Sequence, residues 1–386
     1  MSQLISGEQP RSKPAPRAWV MRKIIAGIQA GHYSVGQPLP STRKLSQELS
    51  VNRGTISRAF TLLEEEGYLK VGDNGLRIVA ARIQQPSRLF DKSIAVLITP
   101  PETWDERHRE PGWLEYIDRG ILDRIREGGL HAMSLNPTLI DEATITDLMH
   151  SRPRGIVVGE AATYSSRTIS MVNAIRESGL PVVIYGDAPE LAGFDRITSD
   201  HEAGAYQLTR WLLSKGCKRI VELFPEHNRK SYWAQGRARG CRRAMKEAGL
   251  PVLDPVLFPL VKQANDEENF NDTVRMLAGY LVKHLGPNRA DAILCASDCF
   301  VFPVAAVFRL AGYIPNKDVI IAGYDNYWHE TPERQFEDVE PAATVDKLNH
   351  VIGQEMVKLL LERISGSLPN EPQRRVVTPK MIVTER

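Results

Sequence analysis

The sequence predicts an α/β protein in which a small N-terminal helix-turn-helix part precedes a larger part built on parallel sheets. Short amphipathic helical patterns and then a hairpin pattern fill residues 17–81. From residue 93 onward, apolar strand-like runs alternate with helical stretches that each end at a glycine. This alternation is typical of parallel sheets with helices on both faces. A length of 386 residues is enough for about two or three domains.

Composition and the lengths of the apolar runs restrict the class of protein. Hydrophobic residues make up 42% of the chain and charged residues 25%, which is typical of a globular protein and excludes wholesale disorder. The apolar runs are too short to span a bilayer, and the first 17 residues lack the apolar segment of a secretory signal. Four cysteines do not form a disulfide framework in a chain of this length. We therefore expect a cytoplasmic protein with reduced thiols and no membrane partner.

The net charge of +2 conceals an uneven distribution along the chain. Residues 1–83 carry 12 Lys and Arg against 6 Asp and Glu, a balance of +6, and the remaining residues have a balance of −4. A basic segment joined to a larger acidic one indicates a polyanionic partner for the basic segment.

The first two helices are predicted from spacing and capping. Val20, Ile24 and Ile28 recur every four residues and form one apolar face. Gly31 follows as a helix stop, and the stretch GHYSVGQPLP is rich in turn residues. Ser41 can cap a second helix, TRKLSQEL, with its side-chain oxygen. The pattern therefore predicts two short helices that a turn-rich connection separates.

The third helix and a hairpin complete this part of the chain. Asn52 can cap the helix RGTISRAFTLLEEE, and Gly67 ends it. The apolar residues of this helix lie at helical spacing and predict its core face: Ile56, Ala59, Phe60 and Leu63. Residues 68–71 and 76–79 are strand-like and flank a Gly-Asp-Asn-Gly turn, which predicts a hairpin, or wing.

Two helices joined by a tight turn, with polar residues on the first turn of the second, form a helix-turn-helix. Such a motif places the start of its second helix at base edges in the major groove, where arginine can read guanine. Two alternatives stay open for individual residues, because Arg43 could be a solvated charge and Ser57 could simply be exposed.

The stretch LPSTRKLSQELSVNRGTISRAFTLLEEEGYL resembles the winged helix of the GntR family of bacterial transcription regulators. The resemblance covers about residues 17–81. It implies DNA contacts at the start of the second helix, on the recognition helix and at the wing tip. The residues concerned are Ser41, Thr42, Arg43, Asn52, Arg53, Gly54, Thr55, Ser57, Arg58 and Gly75.

The domain organisation follows from these patterns. We expect a flexible tail over residues 1–16, the winged helix over 17–81, a linker over 82–92 and a two-lobed domain over 93–386. The linker is predicted because its sequence lacks periodicity and contains Pro86.

No enzymatic or metal-binding signature was found in the larger part. The phosphate-binding, dinucleotide-binding, zinc-protease and serine-hydrolase motifs are absent from the sequence. Cys295 and Cys299 lack a second pair at metal-ligand spacing, so that buried thiols are the better interpretation. We therefore expect no catalytic residue, no metal and no cofactor.

Polar residues follow several of the predicted strands. In open parallel sheets, ligands bind beyond the carboxyl ends of the strands. Carboxylates, amides and a guanidinium suit the recognition of a polyol, and nearby aromatic rings supply apolar contact. Packing, loop capping or pairing with a surface carboxylate are the alternatives. The candidates are Asp187, Arg237, Ser297, Asp298 and Asp325, with Trp113, Trp233, Tyr327 and Trp328 as aromatic neighbours.

This larger part resembles the effector domain of the LacI/GalR family, which has the periplasmic-binding-protein fold. The resemblance is carried by stretches such as GRARGCRRAMKEAGLP and DAILCASDCFVFPVAAVFRLAGYIPNKDVIIAGYDN. It implies that Arg237, in an R-x-x-G pattern, contacts a sugar together with Ser297, Asp298 and Asp325. The family's next polar contact falls on Lys347, where Gln is more usual, and Trp113 is the stacking candidate from the first-strand region.

A GntR winged helix joined to a LacI/GalR effector domain resembles the chimeric arabinose-repressor type, which does not by itself establish arabinose as the ligand. The resemblance implies a DNA-binding transcription repressor that acts as a homodimer on operator DNA and responds to a small molecule, with a sugar expected. We expect the chain to cross between the lobes near residues 197–200, 325–327 and 344–349. The alternatives are a transporter's solute-binding protein, an enzyme fused to a DNA-binding domain, or a regulator with a nucleoside effector.

Overall fold

In the computed structural model, the described residues are 16–29, 31–72, 75–80, 90–98, 113–136, 139–159, 166–177, 179–259 and 266–384. The chain divides into two units, Met1–Arg88 and Leu89–Arg386. Of the tail predicted over residues 1–16 and the linker predicted over 82–92, residues 1–15 and 82–89 lie outside the described residues. Pro16 begins the first helix, and Phe90–Lys92 form a short 3-10 helix. No helix in the described part is both long enough and apolar enough to cross a membrane.

The first unit has the predicted order of three helices and a two-stranded antiparallel hairpin. Its elements are α1 (Pro16–Gln29), α2 (Thr42–Glu48), α3 (Arg53–Glu65), β1 (Leu69–Val71) and β2 (Arg77–Val79). The apolar residues that predicted the helices are buried together, and Leu45 and Phe60 lie in the same cluster. This small core holds α2 and α3 at a fixed angle.

Both predicted N-caps are confirmed. Ser41 Oγ accepts a hydrogen bond from the Lys44 amide at 3.2 Å, and Asn52 Oδ1 accepts one from the Gly54 amide at 2.7 Å. Each bond satisfies a backbone donor that has no partner within its own helix. The side-chain oxygens of Ser41 and Asn52 are therefore engaged in holding the starts of α2 and α3.

The second unit consists of two lobes, each built on a six-stranded sheet. The first lobe contains β3 (Ser93–Leu97), β4 (His131–Leu135), β5 (Gly155–Val158), β6 (Val182–Tyr185), β7 (Asp195–Ser199) and β13 (Arg374–Val377). Its strand order is β13-β7-β6-β5-β3-β4, and all neighbours are parallel. Its helices are α4 (Trp113–Glu127), α5 (Glu142–Ser151), α6 (Ser166–Glu177) and α11 (Asn349–Ile364).

The second lobe repeats this arrangement. Its strands are β8 (Ile220–Pro225), β9 (Val256–Phe258), β10 (Ala292–Cys295), β11 (Ile320–Ala322), β12 (Ala343–Asp346) and β14 (Lys380–Val383). They lie in the order β14-β12-β11-β10-β8-β9, and β14 is antiparallel to β12. Its helices are α7 (His201–Ser214), α8 (Tyr232–Glu247), α9 (Glu267–Leu281) and α10 (Val301–Leu310).

Helices cover both faces of each sheet, which explains why central strands such as β3, β5 and β6 are buried along their whole length. In the first lobe, Ile94 and Val96 of β3 belong to a core cluster with α4 and α11, whereas Ala95 and Leu97 belong to a cluster on the opposite face. The two-residue period of a strand sends alternate side chains to opposite faces. The predicted parallel, doubly covered sheets are confirmed.

The chain crosses between the lobes in three places, and one predicted crossing is wrong. The passages from β7 to α7 and from β12 to α11 fall in the predicted ranges 197–200 and 344–349. The third predicted crossing, at residues 325–327, does not occur, because β11 and β12 pair within the same sheet. The third passage instead joins β13 to β14.

Glycine permits the close approach of two helix pairs. A Cβ on Gly240 of α8 would overlap the Glu202 carbonyl and the Tyr206 amide of α7, and Gly120 and Gly353 meet in the same way between α4 and α11. The glycine of the R-x-x-G pattern therefore has a packing role between α7 and α8.

We expect Gly240→Ala to lower the free energy of unfolding by about 1–3 kcal/mol, because the added methyl group must push α7 and α8 apart. Gly279→Ala in α9 is the matched control: no heavy atom lies within 4 Å of its added Cβ, and alanine should stabilise that helix by about 0.5–1 kcal/mol. Chemical denaturation of both variants measures this. Equal stability of the two would contradict the packing role of Gly240.

A buried carboxyl group makes a second prediction possible. Glu222 in β8 is 7% exposed, and burial raises its pKa to about 7, while Arg242 acts in the opposite direction. The folded state binds this proton more strongly than the unfolded chain, so the carboxyl group's contribution to stability is present in acid and is lost as the pH rises towards 7. Glu222→Gln should be more stable than the parent at pH 8 by on the order of 2 kcal/mol and equal to it near pH 4. Denaturation across this pH range tests the difference, with the exposed Glu226→Gln as a control that keeps the parent's pH dependence.

Candidate functional site

The start of α3, the predicted recognition helix, presents polar side chains to solvent. Arg53, Ser57 and Arg58 are exposed, and Thr55 is half-buried beside them. Gly54 adds no side chain, and its amide is bonded to the Asn52 cap. The exposed set can donate to phosphate oxygens and to base edges in the major groove.

The second part of this surface comes from α2 and the wing. Arg43 is exposed and Thr42 is half-buried at the start of α2. Arg43, Arg53 and Arg58 make no ion pair within the part of the chain that the structure describes, whereas the neighbouring Lys44 pairs with Glu48 at 3.9 Å. Guanidinium groups without an internal partner are available to an external anion.

The wing is attached to the recognition helix. Arg77 of β2 donates a hydrogen bond to Glu64 of α3 at 2.5 Å, and its guanidinium lies 5.3 Å from the centre of the Phe60 ring. Gly75 is exposed at the wing, with a positive φ of 74° that suits glycine. These contacts fix the hairpin beside α3, so that both can face the same partner.

In the second lobe, the predicted ligand residues meet at one carboxylate. Asp325 follows β11, and its Oδ1 lies 3.3 Å from the Arg237 guanidinium and 3.2 Å from Lys347 Nζ. Its Oδ2 accepts a hydrogen bond from Ser297 Oγ at 3.3 Å. All four side chains are buried. We call this set the Asp325 cluster.

The backbone at Asp325 adopts an uncommon conformation. Asp325 and Asn326 have φ values of 92° and 54°, which side chains with a Cβ rarely adopt. The Asp325 amide donates to the Val345 carbonyl at 2.8 Å, and Asn326 Nδ2 donates to Asp346 at 3.2 Å. Such conformations persist where the surrounding contacts hold them, and they are frequent at binding sites.

Two aromatic rings and two hydrogen-bond acceptors hold the guanidinium of Arg237. Its planar group lies 3.4 Å from the Tyr324 ring centre and 4.5 Å from that of Trp233. One terminal nitrogen donates to the Ala296 carbonyl and the other to Asp325. The alternative that Arg237 pairs with a surface carboxylate is therefore wrong, because its partner Asp325 is buried.

Asp298 is fully buried and binds the backbone of its own lobe. Its carboxylate accepts hydrogen bonds from the amides of Tyr327 and Trp328 at 2.8 and 3.2 Å and from Thr344 Oγ1 at 2.7 Å. Burial raises its pKa to about 8, although these hydrogen bonds favour the charged form. The structure thus places Asp298 beneath the loop that carries Asp325, where it fixes the position of that loop.

A cavity of about 550 Å³ opens between the lobes at the passage from β7 to α7. Of the predicted ligand residues, Asp187 contributes to its lining, and its carboxylate pairs with Arg374 at 3.1 Å. Trp233 and Gly236 also line the cavity. Arg237 directly follows Gly236 in the sequence but is not part of the lining. The other members of the predicted set are not part of this lining, and the side chain of Trp113 lies outside the described residues.

Sequence reasoning missed most of the cavity lining, including Ser199, His201 and Arg374. Ser199 and His201 flank the lobe crossing, and Arg374 comes from β13, far away along the chain. The predicted crossing could have indicated Ser199 and His201, but no sequence signal pointed to Arg374. Burial, together with the charges of Arg237 and Lys347, lowers the pKa of His201 well below its usual value, so its imidazole is neutral at pH 7.

The described residues contain no group of three or more His, Cys, Asp or Glu that could hold a metal ion. The four cysteines are free thiols, of which Cys217, Cys241 and Cys295 are buried and Cys299 is partly buried.

Two family descriptions match the chain. Residues 130–384 match the periplasmic binding proteins and sugar binding domain of the LacI family, and residues 17–75 match the gntR family of bacterial regulatory proteins.

Relatives with an assigned role match a little over half of the chain. The HTH-type transcriptional repressor PurR of Vibrio parahaemolyticus is 27% identical over 211 residues, 54% of this chain and 57% of its own length. The HTH-type transcriptional regulator CelR of Thermobifida fusca is 26% identical over 213 residues, again 54% of this chain and 57% of its own length. The matched region thus spans a little over half the length of these relatives.

Solved structures share the fold. A complex of the transcriptional regulator CelR with cellobiose has a TM-score of 0.58 at 18% identity and covers 89% of this chain and 99% of its own. A LacI family regulator from Enterococcus faecium with bound ribose has a TM-score of 0.53 at 19% identity, covering 75% of this chain and 97% of its own.

The Asp325 cluster yields a prediction about stability. Asp325→Asn leaves two buried cations without their shared carboxylate and should lower the free energy of unfolding by about 3–5 kcal/mol. Adding Lys347→Gln removes one of those cations and should recover about 1–3 kcal/mol of the loss. Denaturation of the two single variants and the double variant measures the coupling. Asp254→Asn, at an exposed site, is the control, and strictly additive effects would show that Lys347 and Asp325 do not interact.

Proposed function

The chain belongs to the family of periplasmic binding proteins and sugar binding domains of the LacI family, and from this we propose that it is a transcription regulator whose affinity for operator DNA is set by a small molecule bound between its two lobes. The observation that carries the proposal is the pairing of two surfaces in one chain. One is a winged helix with three arginines that have no internal ion-pair partner among the described residues, and the other is a two-lobed domain with a cavity at its crossing.

The DNA-binding half of the proposal rests on charge and exposure. Arg43, Arg53 and Arg58 leave their guanidinium groups to solvent on a unit whose sequence is basic. Phosphate contacts position such a unit on the duplex, and base contacts give it sequence preference. We also propose a cytoplasmic location, because a bacterial regulator that binds DNA acts there. A solute-binding protein of a transporter has no use for this surface.

The sensing half of the proposal rests on the position of the cavity. Residues on both sides of the passage from β7 to α7 line it, so a ligand touches both lobes and favours one angle between them. In a homodimer, this angle sets the spacing of two winged helices and hence the fit to a palindromic operator. We propose repression as the mode of action, supported by relatives named as repressors, and an uncharged sugar or nucleoside as the effector.

Replacing Arg53 with Ala tests the DNA-binding half. Duplexes that the full chain selects from a randomised pool serve as operator DNA. We expect the variant to lose at least about tenfold in affinity for them, because one bidentate base contact supplies about 1–3 kcal/mol of discrimination. Fluorescence anisotropy at fixed salt concentration measures the binding.

Arg210→Ala, which removes an exposed arginine from α7 in the other unit, is the matched control and should bind these duplexes like the parent. Unchanged affinity of Arg53→Ala would refute the assignment of the recognition helix. Failure of the full chain to enrich any duplex would refute the proposed DNA-binding function.

A further inference from the structure

The segment of residues 325–330 follows β11 in the second lobe and is fixed to that lobe by its backbone. The amides of Tyr327 and Trp328 donate to the carboxylate of Asp298 at 2.8 and 3.2 Å. The Glu330 amide donates to the Tyr327 carbonyl at 2.8 Å and closes a short turn of 3-10 helix. Because Asp298 is fully buried in the second lobe, the 325–330 segment is a rigid extension of that lobe.

Tyr327 carries this extension into the first lobe. Its side chain is 1% exposed, and the other buried members of its core cluster all belong to the first lobe, among them Ile94, Ile117 and Met356. A buried aromatic ring removes a large apolar area from water, and that area is exposed again if the lobes separate. The ring of Tyr327 is therefore an apolar anchor between the lobes.

A polar contact of the same segment joins the same two lobes. Tyr116 Oη, on α4 of the first lobe, donates a hydrogen bond to the carboxylate of Glu330. This hydrogen bond, together with partial burial, raises the pKa of Tyr116 to about 12, so the hydroxyl group keeps its proton and can donate at pH 7. Hydrogen bonds to an ionised acceptor are stronger than those between neutral groups. The 325–330 segment thus contacts the first lobe through a buried ring and through a charge-assisted hydrogen bond.

Two hydroxyl groups connect the Tyr327 ring with the Asp325 cluster. Tyr327 Oη lies 2.7 Å from Ser297 Oγ, and Ser297 Oγ donates to Asp325 Oδ2 at 3.3 Å. Because the Ser297 hydroxyl has one proton and uses it for Asp325, Tyr327 must be the donor in the first of these bonds. The bonds therefore run in one direction, from the ring in the first lobe's core to the carboxylate that holds Arg237 and Lys347.

We infer that the 325–330 segment is a latch between the lobes: the Tyr327 ring and the bond from Tyr116 to Glu330 hold the lobes at one angle, and Ser297 links this latch to the Asp325 cluster. These residues act by favouring one arrangement of the lobes over another. The consequence for operator affinity rests on the proposed function, because the lobe angle affects DNA binding only in a regulator of that kind.

Distances between the lobes test the latch without any ligand. In the full chain, the exposed Glu177 of the first lobe and the exposed Lys317 of the second are replaced by p-acetylphenylalanine, which carries spin labels and leaves the four cysteines unmodified. Pulsed dipolar spectroscopy then gives the distribution of distances between the labels. Tyr116→Phe and Glu330→Ala should each widen this distribution at least about twofold, and the double variant should match the single ones, because all three lose the same hydrogen bond.

The link to the Asp325 cluster has its own test. Ser297→Ala should also widen the distribution, although Ser297 belongs to the second lobe. In the Tyr327→Phe background it should add nothing, because phenylalanine keeps the packing of the ring and lacks the hydroxyl group through which Ser297 acts. Tyr280→Phe, Glu340→Ala and Ser214→Ala, at exposed sites of the second lobe, are the matched controls and should keep the parent's distribution.

Operator affinity measures the consequence for regulation. Tyr116→Phe and Glu330→Ala both lie outside the winged helix, and both should change the affinity for the selected duplexes at least about threefold and in the same direction. Altered distances with unchanged affinity would uphold the latch and refute the proposed control of DNA binding by the lobe angle.

Two outcomes overturn the latch while leaving the proposed function in place. One is a parent-like distance distribution in both Tyr116→Phe and Glu330→Ala. The other is an effect of Ser297→Ala that is as large in the Tyr327→Phe background as in the parent. If the full chain enriches no duplex, the proposed function fails, and the distance measurements alone decide on the latch.

Discussion

The carboxylate of Asp325 is the interaction on which the arrangement of the second lobe depends. It joins the start of α8, the turn after β10 and the strand that leads back to the first lobe, through Arg237, Ser297 and Lys347. A buried carboxylate that faces two cations is expensive to desolvate, and it is tolerated only where its geometry satisfies most of the hydrogen bonds involved. The positive φ at Asp325 is held by the same neighbours. Three distant segments of sequence are thus fixed at one point, beside the lobe crossing.

This cluster also explains the position of the cavity. Arg237, Ser297 and Lys347 all bind Asp325 in the interior of the second lobe. The cavity lies beside this cluster, at the passage from β7 to α7. The lobes are in contact elsewhere as well: Tyr327 of the second lobe packs in the core cluster of the first, and Tyr116 donates to Glu330 across the lobes. A bound molecule can change the lobe angle only to the extent that it binds one arrangement better than another. Contacts to the crossing itself are the ones most sensitive to that angle.

Local features could be predicted from the sequence because their causes are local. The caps at Ser41 and Asn52 follow from helix-end chemistry, and the parallel sheets follow from apolar runs that alternate with helices. The third lobe crossing could not be predicted in this way, because β13 and β14 are two short strands separated by two residues, and their assignment to different sheets depends on long-range pairing. For the same reason, no local sequence pattern indicated a role for Arg374. Its partner Asp187 lies 187 positions earlier in the sequence. The polar residues lie after the strands, as predicted. The sequence did not show which of them face the cavity, because this depends on ion pairs between distant segments of the chain.

The contrast between the two units indicates how their binding partners differ. In the winged helix, Arg43, Arg53 and Arg58 are exposed and make no ion pair among the described residues, so their guanidinium groups are available to an external anion. In the cavity, by contrast, Asp187 pairs with Arg374 and Glu202 pairs with Arg239, so most of the charged side chains in the lining already have partners. The proposed binding of DNA to the first surface would release counterions and would weaken as the salt concentration rises. In the proposed regulator the coupling between the two sites is reciprocal, so an effector that changes the affinity for DNA has its own affinity changed by the same factor when DNA binds.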